Sequence, residues 1–170
     1  LSQSSNQAAG GGALTDEQVR ALTSAQIAAM STNQLNALSA SQFAILSPAQ
    51  ASAITTLQMA ALESADLAAL NSGAMRAMSS AQIDALGTEQ LAVLGAAQVA
   101  ALATTVVAAL VSADLAALSS AQLAAFTTAQ VKALTSVLLA GLSSDGLNAL
   151  GTAQFAALSS QQLRALTTQQ

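Results

Sequence analysis

The chain of 170 residues is long enough for one domain with a sizeable core, but only 7% of its residues are charged and its net charge is −4. Nucleic-acid binding is excluded as a function, because such proteins need clustered basic residues and the four here lie far apart: Arg20, Arg76, Lys132 and Arg164. The chain has no His and no Cys, so we expect no enzyme activity, no catalytic residues, no cofactor and no metal site.

Residues 1–13 precede the regular part of the sequence. They are rich in Ser, Gln and Asn and include Gly10-Gly11-Gly12, which predicts a flexible linker. The three glycines lack the Lys and Ser/Thr that follow them in a phosphate-binding loop. Leu1 to Gln7 is polar and uncharged, unlike the start of a signal peptide.

From Leu14 onward the chain repeats one octapeptide, typified by Leu118-Ser119-Ser120-Ala121-Gln122-Leu123-Ala124-Ala125. An apolar residue opens each octad from Leu14 to Leu166, which gives nineteen full octads and the start of a twentieth. Counted from that residue, positions 1 and 6 are apolar in all nineteen, position 5 is Gln in thirteen, and position 2 is Ser or Thr in twelve. Residues 14–170 are therefore predicted to form a single repeat domain.

One long helix cannot carry this pattern. Eight residues advance a helix by about 800°, so successive apolar residues would drift by about 80° around its axis. A strand is also excluded, because positions 1 and 6 would fall on opposite faces of a sheet. The sequence therefore predicts an all-α solenoid of very short capped helices, one for each eight-residue repeat.

Three signals predict where each helix lies in its octad. Ser or Thr at position 2 with Gln at position 5, as in Ser119 and Gln122, has the spacing of a capping box. Pro48 then occupies a first helical position. Seven of the eight acidic residues lie at positions 2–5 and all four basic residues at position 7, as the helix dipole favours. We expect helices over positions 3–8, with positions 1 and 6 facing inward and position 7 facing water.

Several features invite a different interpretation. Leu91 to Val111 is apolar enough to suggest a membrane helix, but its Leu, Gln and Val keep their octad positions and no basic residue closely flanks it. We therefore expect no transmembrane segment. Asp16 and Glu17 are expected to stabilise the N-terminus of the first helix rather than to act in catalysis. Core packing, rather than a binding groove, is predicted for the methionines at positions 1 and 6: Met30, Met59, Met75 and Met78.

The pattern Leu-Thr/Ser-x-x-Gln-apolar-x-Ala-Leu over residues 14–170 resembles the Ala/Ser/Thr/Gln-rich octapeptide arrays of large bacterial secreted or surface proteins, which are adhesin-like. This resemblance implies an extracellular or cell-surface location and a role as a filament, stalk or spacer. It also implies contacts with the cell surface or its matrix. No functional residue can be transferred from the resemblance, because the shared positions are structural.

Two further expectations concern binding partners. Ser and Thr recur at positions 2 and 3; helix capping explains position 2 only, so the alternative function is binding to a repetitive surface, such as ice or a glycan. The terminal octads Leu14–Ala21 and Leu158–Ala165 lack the polar character of capping repeats. We therefore expect either that the chain continues past Gln170 or that molecules associate head to tail into filaments.

Overall fold

The computed structural model describes residues 13–170, which contain nineteen short α-helices and no β-strand. Apart from Ala13, the predicted linker 1–13 lies outside the described residues. Each full octad contributes one helix, at positions 3–7 or 3–8, as predicted from the caps and the charges. The helices are α1 Asp16–Ala21, α2 Ser24–Ala29, α3 Thr32–Asn36, α4 Ala40–Ala44, α5 Pro48–Ser52, α6 Thr56–Ala61, α7 Ser64–Ala69, α8 Ser72–Ala77, α9 Ser80–Asp84, α10 Thr88–Ala92, α11 Ala96–Ala101, α12 Thr104–Ala109, α13 Ser112–Ala117, α14 Ser120–Ala124, α15 Thr128–Ala133, α16 Ser136–Ala140, α17 Ser144–Asn148, α18 Thr152–Ala156 and α19 Ser160–Ala165.

The helices begin at the predicted caps. Ser119 has an extended backbone (φ −71°, ψ 162°), and its hydroxyl accepts a hydrogen bond from the backbone N–H of Gln122 at 3.3 Å. In return, the Gln122 side-chain oxygen accepts from the backbone N–H of Ser119 at 2.8 Å. The chain returns to an extended conformation at or near the next octad boundary, as at Leu134 (φ −61°, ψ 131°). The predicted capping boxes and the break in each octad are confirmed.

Three octads make one turn of the solenoid. The more extensive helix–helix contacts all join helices three apart in the chain, such as α5 with α8, α4 with α7, and α12 with α15. Each helix therefore lies on the helix three octads before it, and residues 14–170 make about six and a half turns. The solenoid has three sides: side A holds every third helix from α1 to α19, side B every third from α2 to α17, and side C every third from α3 to α18.

The apolar core runs along the axis of the solenoid. Position 6 is buried in every octad from Val19 to Leu147, and position 1 in every octad from Leu38 to Leu102. Position 7 is exposed or half-buried throughout the described octads. These observations confirm the inward and outward positions predicted from the sequence. Burying two large side chains contributes roughly 3–6 kcal/mol per octad, too little to order a lone octad, so the turns stabilise one another.

Two further predictions are confirmed. The methionines belong to the core: Met59, Met75 and Met78 are buried, and Met30 is half-buried against it. The apolar stretch from Leu91 to Val111 is divided among short helices, including α11 and α12. Across residues 13–170, no helix has both the length and the apolar character needed to cross a membrane.

Candidate functional site

The recurring site of this molecule is the glutamine at position 5, which binds two turns at once. The Gln122 carboxamide nitrogen, Nε2, donates to the backbone carbonyls of Leu91 at 2.8 Å and Leu94 at 2.9 Å, both in the turn below. Its carboxamide oxygen, Oε1, accepts from the N–H of Ser119. One buried side chain thus caps the N-terminus of its own helix and binds carbonyls at the C-terminus of α10.

This arrangement repeats along the solenoid with a constant register. Ten glutamines donate from Nε2 to the carbonyls 28 and 31 residues earlier: Gln50, Gln58, Gln82, Gln90, Gln98, Gln122, Gln130, Gln154, Gln162 and Gln170. One of the two carbonyls belongs to a position-6 residue, and the other belongs to the position-1 residue that starts the next octad. For Gln122, that position-1 residue is Leu94, which lies 24 residues, or three octads, before Leu118 at the start of the glutamine's own octad. The hydrogen bonds therefore fix the turn at three octads. We call each such side chain a glutamine staple.

Sequence reasoning identified the capping half of this role and missed the half that joins the turns. A signal for the second half was present. Glu serves a capping box as well as Gln does, yet position 5 is Gln in thirteen octads and Glu in none. Only the amide supplies N–H donors, so the preference for Gln over Glu indicated a second partner for Nε2.

One octad performs both tasks with a different residue. Ala74 replaces Gln at position 5, and Asn71 occupies position 2. The Asn71 side-chain oxygen accepts from the N–H of Ala74 at 2.9 Å, and its nitrogen donates to the carbonyls of Ala44 at 3.0 Å and Leu46 at 2.8 Å. The cap and the link to the turn below are therefore both preserved.

Five octads have no side-chain link of this kind to the turn below within residues 13–170; their position-5 residues are Asp66, Val106, Asp114, Leu138 and Gly146. A staple at position 138 or 146 would bind the carbonyl 28 residues earlier, which belongs to Leu110 or Leu118, but Leu138 and Gly146 cannot supply one. Leu110 and Leu118 are the position-1 residues that stay half-buried in the interior of the solenoid. An apolar cavity of about 10 Å³, the space of roughly one water molecule, lies beside them and Asp114. Two of the five missing staples therefore coincide with looser packing, whereas Leu38, Met78 and Leu86, below the other three, are buried.

Asp66 differs from the other replacements because it can ionise. It is buried, and the register places it above the carbonyls of Leu35 and Leu38, to which an ionised carboxylate cannot donate a hydrogen bond. Burial raises the pKa of Asp66, and the nearby Glu63 carboxylate raises it further. The protonated form is thus favoured in the folded protein relative to an exposed aspartate.

The charged residues are not gathered into a site. Asp16 and Glu17 are exposed in the first turn of α1, and the four basic residues are spread over all three sides. Glu63 and Glu89 line an open surface groove of about 540 Å³ between α7 and α10. In the part of the chain that the structure describes, no three residues among His, Cys, Asp and Glu are grouped closely enough to hold a metal ion.

Comparison with known sequences gives one family. Residues 59–94, 75–104, 107–144 and 139–168 match the family model described as ALTTAQ repeat, and these stretches together cover more than half of the chain. No curated protein and no solved structure matches the chain. By sequence comparison the repeat region therefore reaches at least from residue 59 to residue 168.

Proposed function

The chain belongs to the ALTTAQ repeat family, and we propose that it acts as a stiff filament, stalk or spacer segment of a secreted, adhesin-like bacterial surface protein. The proposal includes an extracellular or cell-surface location and the absence of enzyme activity. The resemblance of the octads to surface-protein arrays supports the location. The lack of His and Cys supports a purely structural role.

One observation carries this proposal: the same inter-turn contact recurs from one end of the described chain to the other. Each turn is joined to the next by staples in an unchanging register, so added octads lengthen the solenoid without altering its width. With packed helices 8–10 Å apart, six and a half turns give a rod of roughly 50–65 Å. A rod whose length follows its repeat number suits a spacer.

Small-angle X-ray scattering of a deletion series tests this function. Removing residues 70–93 takes out one turn of three octads and preserves the octad phase. We expect the longest dimension to fall by about 8–10 Å, with an unchanged cross-section. Removing residues 70–89 is the matched control, because it deletes a similar length but breaks the phase and should destabilise the fold. A globular particle, or a cross-section that changes with the one-turn deletion, would contradict the spacer role.

A second candidate function is supported by the position-3 residues of side C. Five of them are Thr, at Thr32, Thr56, Thr104, Thr128 and Thr152, with Ser80 between. The corresponding positions on side B are Ser24, Pro48, Ser72, Ala96, Ser120 and Ser144. Side C therefore carries a hydroxyl group once per turn, about 8–10 Å apart, with a methyl group beside it at five of the six positions. Such an array suits binding to a repetitive surface, either ice or a glycan.

The side C candidate is tested by ice-growth inhibition and by co-sedimentation with insoluble polysaccharides. The test variant carries Thr56→Lys, Thr104→Lys and Thr128→Lys. Its control carries Ser72→Lys, Ala96→Lys and Ser120→Lys, at position-3 residues of side B. Loss of binding in the first variant alone is the expected result. No binding by the unmodified chain, or equal loss in both variants, would eliminate this candidate.

A further inference from the structure

We propose that residues 103–118, which contain α12 and α13, form a hinged flap that opens from the solenoid while the turns on either side of it stay joined. The flap goes beyond the spacer function, because it gives the rod one place at which the chain can open without loss of length. α12 lies on side C and α13 on side A, so the flap occupies the corner between these two sides.

The two helices of the flap lack the side-chain hydrogen bonds that hold the ends of other helices. Their N-cap residues are Ala103 and Val111, whose side chains accept no hydrogen bond. At their C-termini, the staple register requires donors at positions 138 and 146, where Leu138 and Gly146 have none. Each other helix from α1 to α16 has a side-chain cap at its N-terminus, a side-chain link at its C-terminus, or both.

No side-chain hydrogen bond joins the flap to the rest of the described chain, residues 13–170. Its one side-chain hydrogen bond stays within a single octad, where Oδ2 of Asp114 accepts from the backbone N–H of Val111 at 3.1 Å. Apolar packing therefore holds the flap in place, chiefly through the buried side chains of Val107 and Leu115. Helices as short as these do not form without such packing.

The flap is also poorly suited to a helix and loosely packed at its edge. Thr104-Thr105-Val106-Val107 is a run of four β-branched residues, which lose side-chain freedom in a helix. Leu110 and Leu118 are half-buried, and an apolar cavity of about 10 Å³ lies against both. Weak helix ends, unfavourable residues and incomplete packing thus coincide in two adjacent octads, as expected of a unit that opens locally.

The chain on either side of the flap is joined by two staples. Gln122 and Gln130, which follow the flap, each donate to two carbonyls that precede it: Leu91 with Leu94, and Val99 with Leu102. Residues 103–118 therefore form a loop that these four hydrogen bonds close at its base. When the flap opens, the staples still connect the turn below to the turn above.

Hydrogen–deuterium exchange of the full chain, followed by mass spectrometry, tests whether the flap opens by itself. Residues 119–133 are the internal reference, because α14 and α15 have both an N-terminal side-chain cap and a C-terminal staple. We expect the amides of residues 103–118 to exchange faster than those of the reference by about tenfold or more. Equal exchange in the two stretches would overturn the proposal.

A capped variant tests the cause of the opening. Ala103→Ser with Val111→Ser supplies both missing N-terminal caps, and exchange in the flap should slow by about five- to thirtyfold. The matched control is Ala121→Ser with Val137→Ser, which makes the same substitutions at exposed position-4 residues. The control should leave exchange in the flap unchanged. A capped variant that exchanges like the control would show that the uncapped ends do not cause the opening.

Limited digestion with elastase, which cuts after small side chains, tests whether the flanks stay joined. Within residues 13–170 we expect the first cut to fall in the flap, and the two fragments to co-elute at the mass of the uncut chain in size-exclusion chromatography. A first cut elsewhere in these residues, or fragments that separate, would contradict the hinged flap. Neither result would affect the spacer function, which depends on the rod dimensions of the closed molecule.

Discussion

At the scale of the residue, the carboxamide of Gln is suited to a site that needs both an acceptor and donors. Its oxygen accepts from a helix N-terminus while its nitrogen serves two carbonyls of the turn below, as Gln122 does. Glu offers no donor. Asn is shorter, and in this chain it performs both tasks from position 2, as Asn71. The longer Gln side chain thus acts from position 5, and the shorter Asn side chain from position 2.

The first prediction separates the cap from the staple. A lost cap costs about 0.5–1 kcal/mol, which is all that the sequence predicts for Gln122→Ala. The structure adds two buried carbonyls that would lose their Nε2 donor, so we expect a total of about 2–4 kcal/mol. Gln26→Ala removes a cap from the first turn and no bond to a carbonyl below it, so it should cost about 0.5–1 kcal/mol. Urea denaturation compares the two variants; equal costs would mean that the staples contribute nothing.

The second prediction concerns Asp66. Because its pKa is raised in the folded state, its contribution to stability is complete below the usual aspartate pKa and is lost as pH rises through the folded value. Asp66→Gln replaces the ionisable carboxyl group with an amide, which removes this loss of stability at higher pH. The amide also supplies N–H donors for the backbone carbonyls of Leu35 and Leu38. We expect a gain of about 1–3 kcal/mol at pH 7 that shrinks as the pH is lowered. Urea midpoints from pH 3 to 7 measure it.

The matched control for Asp66 is Asp84→Gln, at an exposed position 7 in α9. This substitution should change the free energy of unfolding by less than about 0.5 kcal/mol. A gain from Asp66→Gln that does not vary with pH would contradict the explanation by protonation.

At the scale of the element, each helix has only five or six residues, too few to be stable alone. It forms because most octads cap their own helix N-terminus and because each turn packs on its neighbours, with a staple binding the C-terminal carbonyls wherever the turn above supplies one. The N-terminal caps are local features, which is why the helix bounds and the inward positions could be predicted from the sequence. The number of octads per turn could not, because it depends on which distant carbonyls Nε2 reaches, and all octads offer the same carbonyls.

Leu118 illustrates the same limit of sequence reasoning. Its position 1 predicts a side chain facing the core, and it does pack against the core, but it is only half-buried. An apolar cavity of about 10 Å³ adjoins Leu118, and residues of other octads, such as Ile83 and Leu94, line it. Nothing in the octad of Leu118 reveals this. Packing between distant octads, rather than local pattern, decides how deeply such a residue is buried.

The third prediction tests the two faces of an octad at a well-packed position. Leu94 is 3% exposed, whereas Ala92 lies at position 7 and is exposed. Leu94→Asp places an unpaired carboxylate in the core and should cost about 3–5 kcal/mol. Ala92→Asp should cost about 1 kcal/mol or less, through the helix dipole. Urea denaturation followed by circular dichroism compares the two, and similar losses would contradict the assignment of the faces.

At the scale of the whole molecule, the solenoid is a stack of nearly equivalent turns, each in contact with its neighbours only. The identical segments Ser64–Leu70 and Ser112–Leu118 lie six octads apart, which is two full turns. Both therefore fall on side A. Duplication of whole turns keeps every side chain on its own side, so the array can lengthen without disturbing the core or the staples.

The most direct test of the three-octad turn is a pair of distances measured by electron–electron double resonance. The chain has no native Cys, so spin labels can be attached through Ala25→Cys with either Ala97→Cys or Ala121→Cys, all at exposed position-4 residues of side B. These pairs span three and four turns, so we expect distances of roughly 24–30 Å and 32–40 Å. A continuous helix would instead separate the first pair by about 108 Å. That value, or distances that do not grow by one helix spacing for every three octads, would contradict the account.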